Sequence, residues 1–135
     1  MVETRTEPSS ATRELAKRLS GDWRNQLGSQ LHLVAGEDGS LSGTYHSGTG
    51  DPIAEVHPLA GRVDLCWATG TAVLGFVVSW PAAHSVTAWS GRFEPVTGEI
   101  EAIWVMATEA EGSPAWMGSR VGHDRFHRDV GPVGV

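Results

Sequence analysis

The sequence predicts an all-β domain, an eight-stranded antiparallel up-and-down β-barrel. Three observations lead there. Short runs of alternating apolar and polar residues recur from Gly21 to His127. The connections between them are brief, and parallel pairing would need long crossovers for which the chain has no room. No segment between those runs carries a convincing helical period. Closing eight strands removes the exposed edges and leaves an interior wide enough for one small ligand.

The elements follow in order. Met1–Ser20 reads differently from the rest, as an N-terminal arm. Ser9 or Ser10 suits the cap of a short helix over Ala11–Leu19, with Leu15 and Leu19 on one side. A flexible or loosely docked arm is the expectation, because terminal segments are often poorly ordered. The barrel spans residues 21–128. Its strands are expected at Trp23–Gln26, Ser29–Ala35, Leu41–His46, Ile53–Asp64, Thr71–Trp80, His84–Phe93, Glu99–Thr108 and Met117–His127. Leu27-Gly28 ends or bulges the first strand. Gly36–Gly39 is a hairpin loop, Ser47–Pro52 a Gly/Asp/Pro-rich loop, and Glu94–Gly98 a turn. Pro58 marks an edge or bulge. Residues 129–135 read as a tail.

Bulk properties narrow the function. The chain has 135 residues, enough for one domain with a real core. A formal charge of −6 argues against a nucleic-acid partner. No apolar run is long enough for a membrane-spanning helix, so no membrane partner is expected. The single Cys66 excludes an internal disulfide. It reads as a packed or loop residue, with a bridge between two chains as the alternative. Six Trp against one Tyr and three Phe is an unusual aromatic bias.

The most informative stretch is Ser79–Gly91. Two strands meet at Pro81-Ala82-Ala83, with Trp80 closing the first. Ser85, Thr87 and Trp89 then recur at every second position, on one face of the second. A plain core would put Val, Ile or Leu at Ser85 and Thr87. Indoles and hydroxyls on one inward face suit a pocket for a small, partly polar molecule. The same parity turns Trp23 and Asn25 inward, with Ser29, Leu31 and Leu33. It does the same for Tyr45 and Ser47; Leu74, Phe76 and Val78; Ala102, Trp104 and Met106; and Gly122, Asp124 and Phe126. So many inward polar groups must satisfy one another, hold water, or bind a ligand, since a buried unpaired hydroxyl or amide costs roughly 1–3 kcal/mol.

Four stretches carry a family resemblance: Trp23–Ser29, Gly43–Ser47, His84–Gly91 and Val121–Phe126. In order and joint spacing they resemble the avidin and streptavidin family of biotin-binding proteins, over nearly the whole domain. Trp80, Trp104 and Trp116 fall where the family's other pocket tryptophans would. The resemblance implies a biotin pocket at one open end of the barrel. Asn25, Ser29 and Tyr45 would donate to the ureido oxygen, and Asp124 and Ser47 would accept from the ureido N–H groups. Thr87 would meet the ring sulfur. Trp80, Trp89 and Trp104 would enclose the bicycle and methylene chain, and Ser85 and the Asp51 backbone would meet the carboxylate. Trp116 would reach into a neighbouring subunit's pocket, which favours a homotetramer over a dimer. His123 matches a position at subunit contacts, and an ordinary outward histidine is nearly as good a reading.

The chain also departs from the family pattern. Asp51 stands where streptavidin-like sequences have Asn. An inward side chain would repel the free acid, and use of its backbone alone would make the change nearly silent. The Pro81–Ala83 connection is shorter than in streptavidin. Phe76 replaces a Trp below the pocket floor. Arg120 replaces an expected Leu near the subunit contact, either pairing with an acid there or turning outward.

Two other functions fit parts of the sequence. Gly21-Asp22-Trp23 resembles the opening of a lipocalin's first strand, which would make the protein a carrier of another small ligand. Too many inward polar groups count against that. An enzyme would use Asp124 as base with His84 or His123, but parity points Asp124 and His123 to opposite sides. No Ser-His-Asp spacing, metal-ligand cluster or phosphate loop is present. The expectation is therefore a non-enzymatic binder with no cofactor or metal, biotin entering only as ligand. The family is usually secreted, yet no intact export signal is visible. A trimmed secreted chain and an intracellular protein both fit.

Overall fold

The computed structural model describes residues 6–48, 56–109 and 118–129. A helix, α1 (Thr6–Leu19), precedes eight strands: β1 (Gly21–Asn25), β2 (Gln30–Ala35), β3 (Ser40–His46), β4 (Val56–Cys66), β5 (Thr71–Trp80), β6 (Ser85–Glu94), β7 (Glu99–Thr108) and β8 (Ser119–Arg128). Each strand pairs antiparallel with the next in sequence. β1 closes on β8 through Trp23↔Arg128, Arg24↔His127 and Asn25↔Phe126, so the sheet is a closed barrel. Every ladder has two sides filled, which is the up-and-down barrel that the alternating runs predict.

The alternation holds on each strand. Trp23 and Asn25, Leu31 and Leu33, Leu74, Phe76 and Val78, Ser85, Thr87 and Trp89, and Asp124 and Phe126 are all buried. Pro58 stands opposite Thr44 of β3, while pairing with β5 begins only at Leu59. Its missing N–H thus falls where β4 has a single neighbour.

The interior divides into two ends. At the closed end Trp23, Leu33, Phe93, Ile100 and Phe126 are almost fully buried, and Trp23 and Phe93 meet edge to face at 6.2 Å. The arm expected to be loose is instead a docked helix here. Leu15 and Leu19, four residues apart on one helical face, are 5% and 0% exposed and join this cluster. The Trp23 indole N–H donates to the Leu19 carbonyl at 2.9 Å, satisfying a C-terminal acceptor of the helix. Arg18 lies over the Phe93 ring and Arg128 over Trp23. The helix therefore seals one mouth of the barrel, and among the described residues no element seals the other.

Candidate functional site

The open end holds a cavity of about 440 Å³. Asn25, Ser29, Tyr45, Ser47, Trp80, Ser85, Thr87, Trp89, Trp104 and Asp124 line it, together with Leu27, Ala83 and Met106. Ten sequence-predicted positions from six strands and two adjoining loops thus face one space. Asp51 and Trp116 lie outside the described residues. A larger groove of about 990 Å³ runs over the outer surface beside α1, past Glu37, Asp38, Arg62, Asp64 and Arg92. Charges of both signs line it, without the converging donors and acceptors of the barrel's interior.

The floor is built at the β1–β2 turn. Gly28 adopts a positive φ of 86° there, which lets the chain reverse within three residues. The reversal brings the N–H groups of Leu27 and Ser29 onto Asn25 Oδ1, at 3.0 and 2.9 Å. With its oxygen occupied by two donors, the Asn25 amide must present Nδ2 as its donor. The Gly48 N–H donates to Ser29 Oγ at 3.0 Å, which leaves the Ser29 hydroxyl proton to point elsewhere. Burial pushes the Tyr45 phenol up to about 12. Hydrogen bonds from Ser29 and Asn25 oppose that rise, and the Asp124 charge adds to it. Three protonated donors therefore stand within reach of one another.

The opposite wall supplies acceptors. Asp124 is buried, and its two oxygens accept from the Trp89 indole at 2.9 Å and from Gln26 Nε2 at 3.1 Å. Each carboxylate oxygen keeps lone-pair capacity for a further donor. Gln26 is clamped in turn, because its Oε1 accepts from the Arg125 N–H at 3.0 Å. Its support of Asp124 was not apparent from the sequence. The only signal is its place in the Trp-Arg-Asn-Gln run, and the contact closes across 98 residues.

Aromatic rings form the sides. Trp89 stacks on Phe76 at 4.9 Å and 17°, and Tyr45 leans on Trp89 at 4.9 Å. Phe76 thus takes the packing role under the floor. Trp80 meets Tyr45 and His57 edge to face, and its indole donates to Thr87 Oγ1 at 2.9 Å. Trp104 lies across Gly122, where any Cβ would overlap its indole. Near the mouth, Ser85 donates to the Ala83 carbonyl at 3.1 Å and stands 2.9 Å from the Thr108 hydroxyl. Thr108 is a second functional-site neighbour that the sequence did not reveal.

Among the described residues, no fully buried side-chain nitrogen or oxygen lacks a partner. Spare valence is concentrated instead on the cavity wall. The geometry can hold a flat polar group between donors and acceptors, with an apolar body between indoles. It does not bring together the acid–base pair considered above. His123 lies on the outer surface, 3.9 Å from Glu101, and His84 is an exposed turn residue with φ 50°.

Known proteins resemble the chain along most of its length. Residues 13–129 match the avidin family. Afifavidin of Afifella pfennigii is 32% identical over 107 residues, covering 70% of this chain and 61% of that protein. The chain thus spans less than two thirds of that relative. Avidin-related protein 7 of Gallus gallus is 29% identical over 119 residues, 82% of this chain and 77% of the relative. The crystal structure of Xenavidin superposes with a TM-score of 0.70 at 32% identity, covering 82% of this chain and 96% of that one. With the closed barrel, the polar floor and the indole walls now described, these matches establish that the chain belongs to the avidin family.

Proposed function

We propose that this protein binds biotin, without turnover, in the open end of its barrel. The observation that carries the reading is the division of the floor into a donor side and an acceptor side. A ureido group needs both: its oxygen accepts and its two N–H groups donate. Asn25 Nδ2, the Ser29 hydroxyl and the Tyr45 phenol supply the donors, and Asp124 with Ser47 supplies the acceptors. Donors fixed in advance favour the polarised, oxyanion-like form of the ureido oxygen. Thr87, whose oxygen already accepts from Trp80, keeps its proton for the soft ring sulfur. Trp80, Trp89 and Trp104 suit the apolar bicycle and chain. A preformed site also lowers the ordering cost of binding.

The reading includes a homotetramer. The outer surface supports it with a row in register across four strands: Val77, Ala88, Val105 and Val121, all exposed in the single chain. Ile103 and Val86 extend this patch. Contiguous exposed apolar surface of this kind marks an interaction site. Trp116 from a neighbouring subunit would complete the pocket, as the family resemblance implies. A lipocalin-like carrier of an apolar ligand has no comparable use for the polar floor.

The test is calorimetric titration of biotin into the wild type and the Asn25→Ala/Asp124→Ala double variant. Hydrogen bonds to charged or polarised groups contribute about 1.5–3 kcal/mol each. The double variant should therefore bind roughly 10²- to 10⁴-fold more weakly while keeping the wild-type circular dichroism spectrum. Undiminished affinity would overturn the assigned pocket.

A further inference from the structure

An arginine stands at the mouth end of the barrel, next to the cavity wall and outside its lining. Ser85 stands opposite both Trp80 and Thr108 in the ladders of β5, β6 and β7. On the next ladder Met106, which lines the cavity, stands opposite Arg120. Alternation along β8 puts Arg120 on the same face as Gly122 and buried Asp124. It stands four positions before Asp124, about 13 Å along the strand. The other arginine of that face, Arg128, lies at the closed end over Trp23. Arg120 is exposed, and no described residue pairs with it. It lies at the mouth end of the barrel, one ladder from Met106.

The hydroxyls at the mouth are already engaged. Ser85 has one proton and directs it at the Ala83 carbonyl, so Thr108 must be the donor in the Ser85–Thr108 pair. Neither hydroxyl then keeps a proton free of a protein partner. A carboxylate arriving there meets no free hydroxyl proton unless Ser85 gives up its backbone partner. The Arg120 guanidinium, with five N–H donors and a fixed charge, meets an anion without any such exchange.

We propose that Arg120 reads the end of the ligand's tail and selects a free carboxylate over a neutral amide. The inference rests on the biotin-binding reading above. Because the guanidinium is exposed, its attraction acts through water and is worth about a three- to five-fold difference in affinity at low salt. Most of that difference should vanish near 1 M salt, where the screening length is about 3 Å.

The experiment compares biotin with biotin amide, which shares the head but carries no charge, on wild type, Arg120→Gln and Arg120→Lys. Dissociation and association rates replace equilibrium titration where binding is too tight. The expected result is a three- to five-fold loss for the acid alone in Arg120→Gln, with the amide unchanged and the acid preference largely restored in Arg120→Lys. An equal loss for both ligands, or no change for either, would overturn the inference and leave biotin binding standing. Failure of both ligands to bind the wild type would overturn the binding assignment, and this inference with it.

Discussion

Tyr45 is the only tyrosine in the chain, so its ionisation can be followed without ambiguity. Burial, with the ring 5% exposed between Trp80 and Trp89, pushes its phenol up to about 12 from an ordinary value of 10.0. Ser29 and Asn25 moderate that rise by hydrogen bonding, and the Asp124 charge reinforces it. The proposed function depends on this, because a phenolate has no proton to give a ureido oxygen. A folded-state value above the unfolded one means that stability is fully present below about pH 10. It is lost as the pH climbs from 10 to 12, by about 3 kcal/mol for a shift of this size. The assay is tyrosinate absorbance against pH, in buffer and in denaturant, with far-ultraviolet circular dichroism recorded alongside. The folded protein should titrate near 12, or lose its fold cooperatively on the way there, while the unfolded chain titrates near 10. Asp124→Asn should lower the folded midpoint, since a charge opposing ionisation is removed. A folded midpoint near 10 would refute the reasoning, because it would mean that the phenol is solvated and the three donors do not converge in a dry floor.

Other consequences can be checked with single substitutions. Leu19→Ala should destabilise the protein by about 2–5 kcal/mol in urea denaturation, since Leu19 is 0% exposed at the sealed end. A loss below ~0.5 kcal/mol would mean that the helix is not docked. Gly122→Ala should displace the Trp104 indole and weaken biotin binding at least about ten-fold, or roughly 1.4 kcal/mol, as read by calorimetry. Unchanged affinity would remove Trp104 from the binding wall. Val105→Glu places a charge in the exposed apolar row and should lower the mass measured by light scattering while the circular dichroism spectrum is kept. An unchanged mass would place the subunit contact elsewhere.

The sequence made the barrel and most of its lining legible because a half-buried strand has a period of two. Ser85, Thr87 and Trp89 betray an inward face as soon as the strand is recognised, and so do Trp23 with Asn25 and Asp124 with Phe126. Strand ends were less legible. β1 begins at Gly21, two residues before the expected start, because its ladder runs back to Leu33 of β2. β6 begins at Ser85 because His84 takes a left-handed conformation to end the 3-10 turn over Pro81–Ala83. The docking of α1 could not be read locally. Its two leucines are few among charged residues, and their burial depends on Trp23 and Phe93 offering a matching surface. Gln26 beneath Asp124 and Thr108 behind Ser85 escaped for the same reason. Each works through a partner brought close only by closure of the barrel or by the pairing of β6 with β7.

The central claim is that the open end of this barrel is a biotin site walled by indoles. Titration of biotin followed by intrinsic tryptophan fluorescence tests it most directly, with size-exclusion mass recorded on the same samples. Sharp saturation at one biotin per chain, with a blue-shifted or quenched signal and a tetrameric mass, is the predicted result. No fluorescence response at micromolar biotin would contradict it, and would mean that the donors and acceptors of Asn25, Ser29, Tyr45 and Asp124 serve a different ligand.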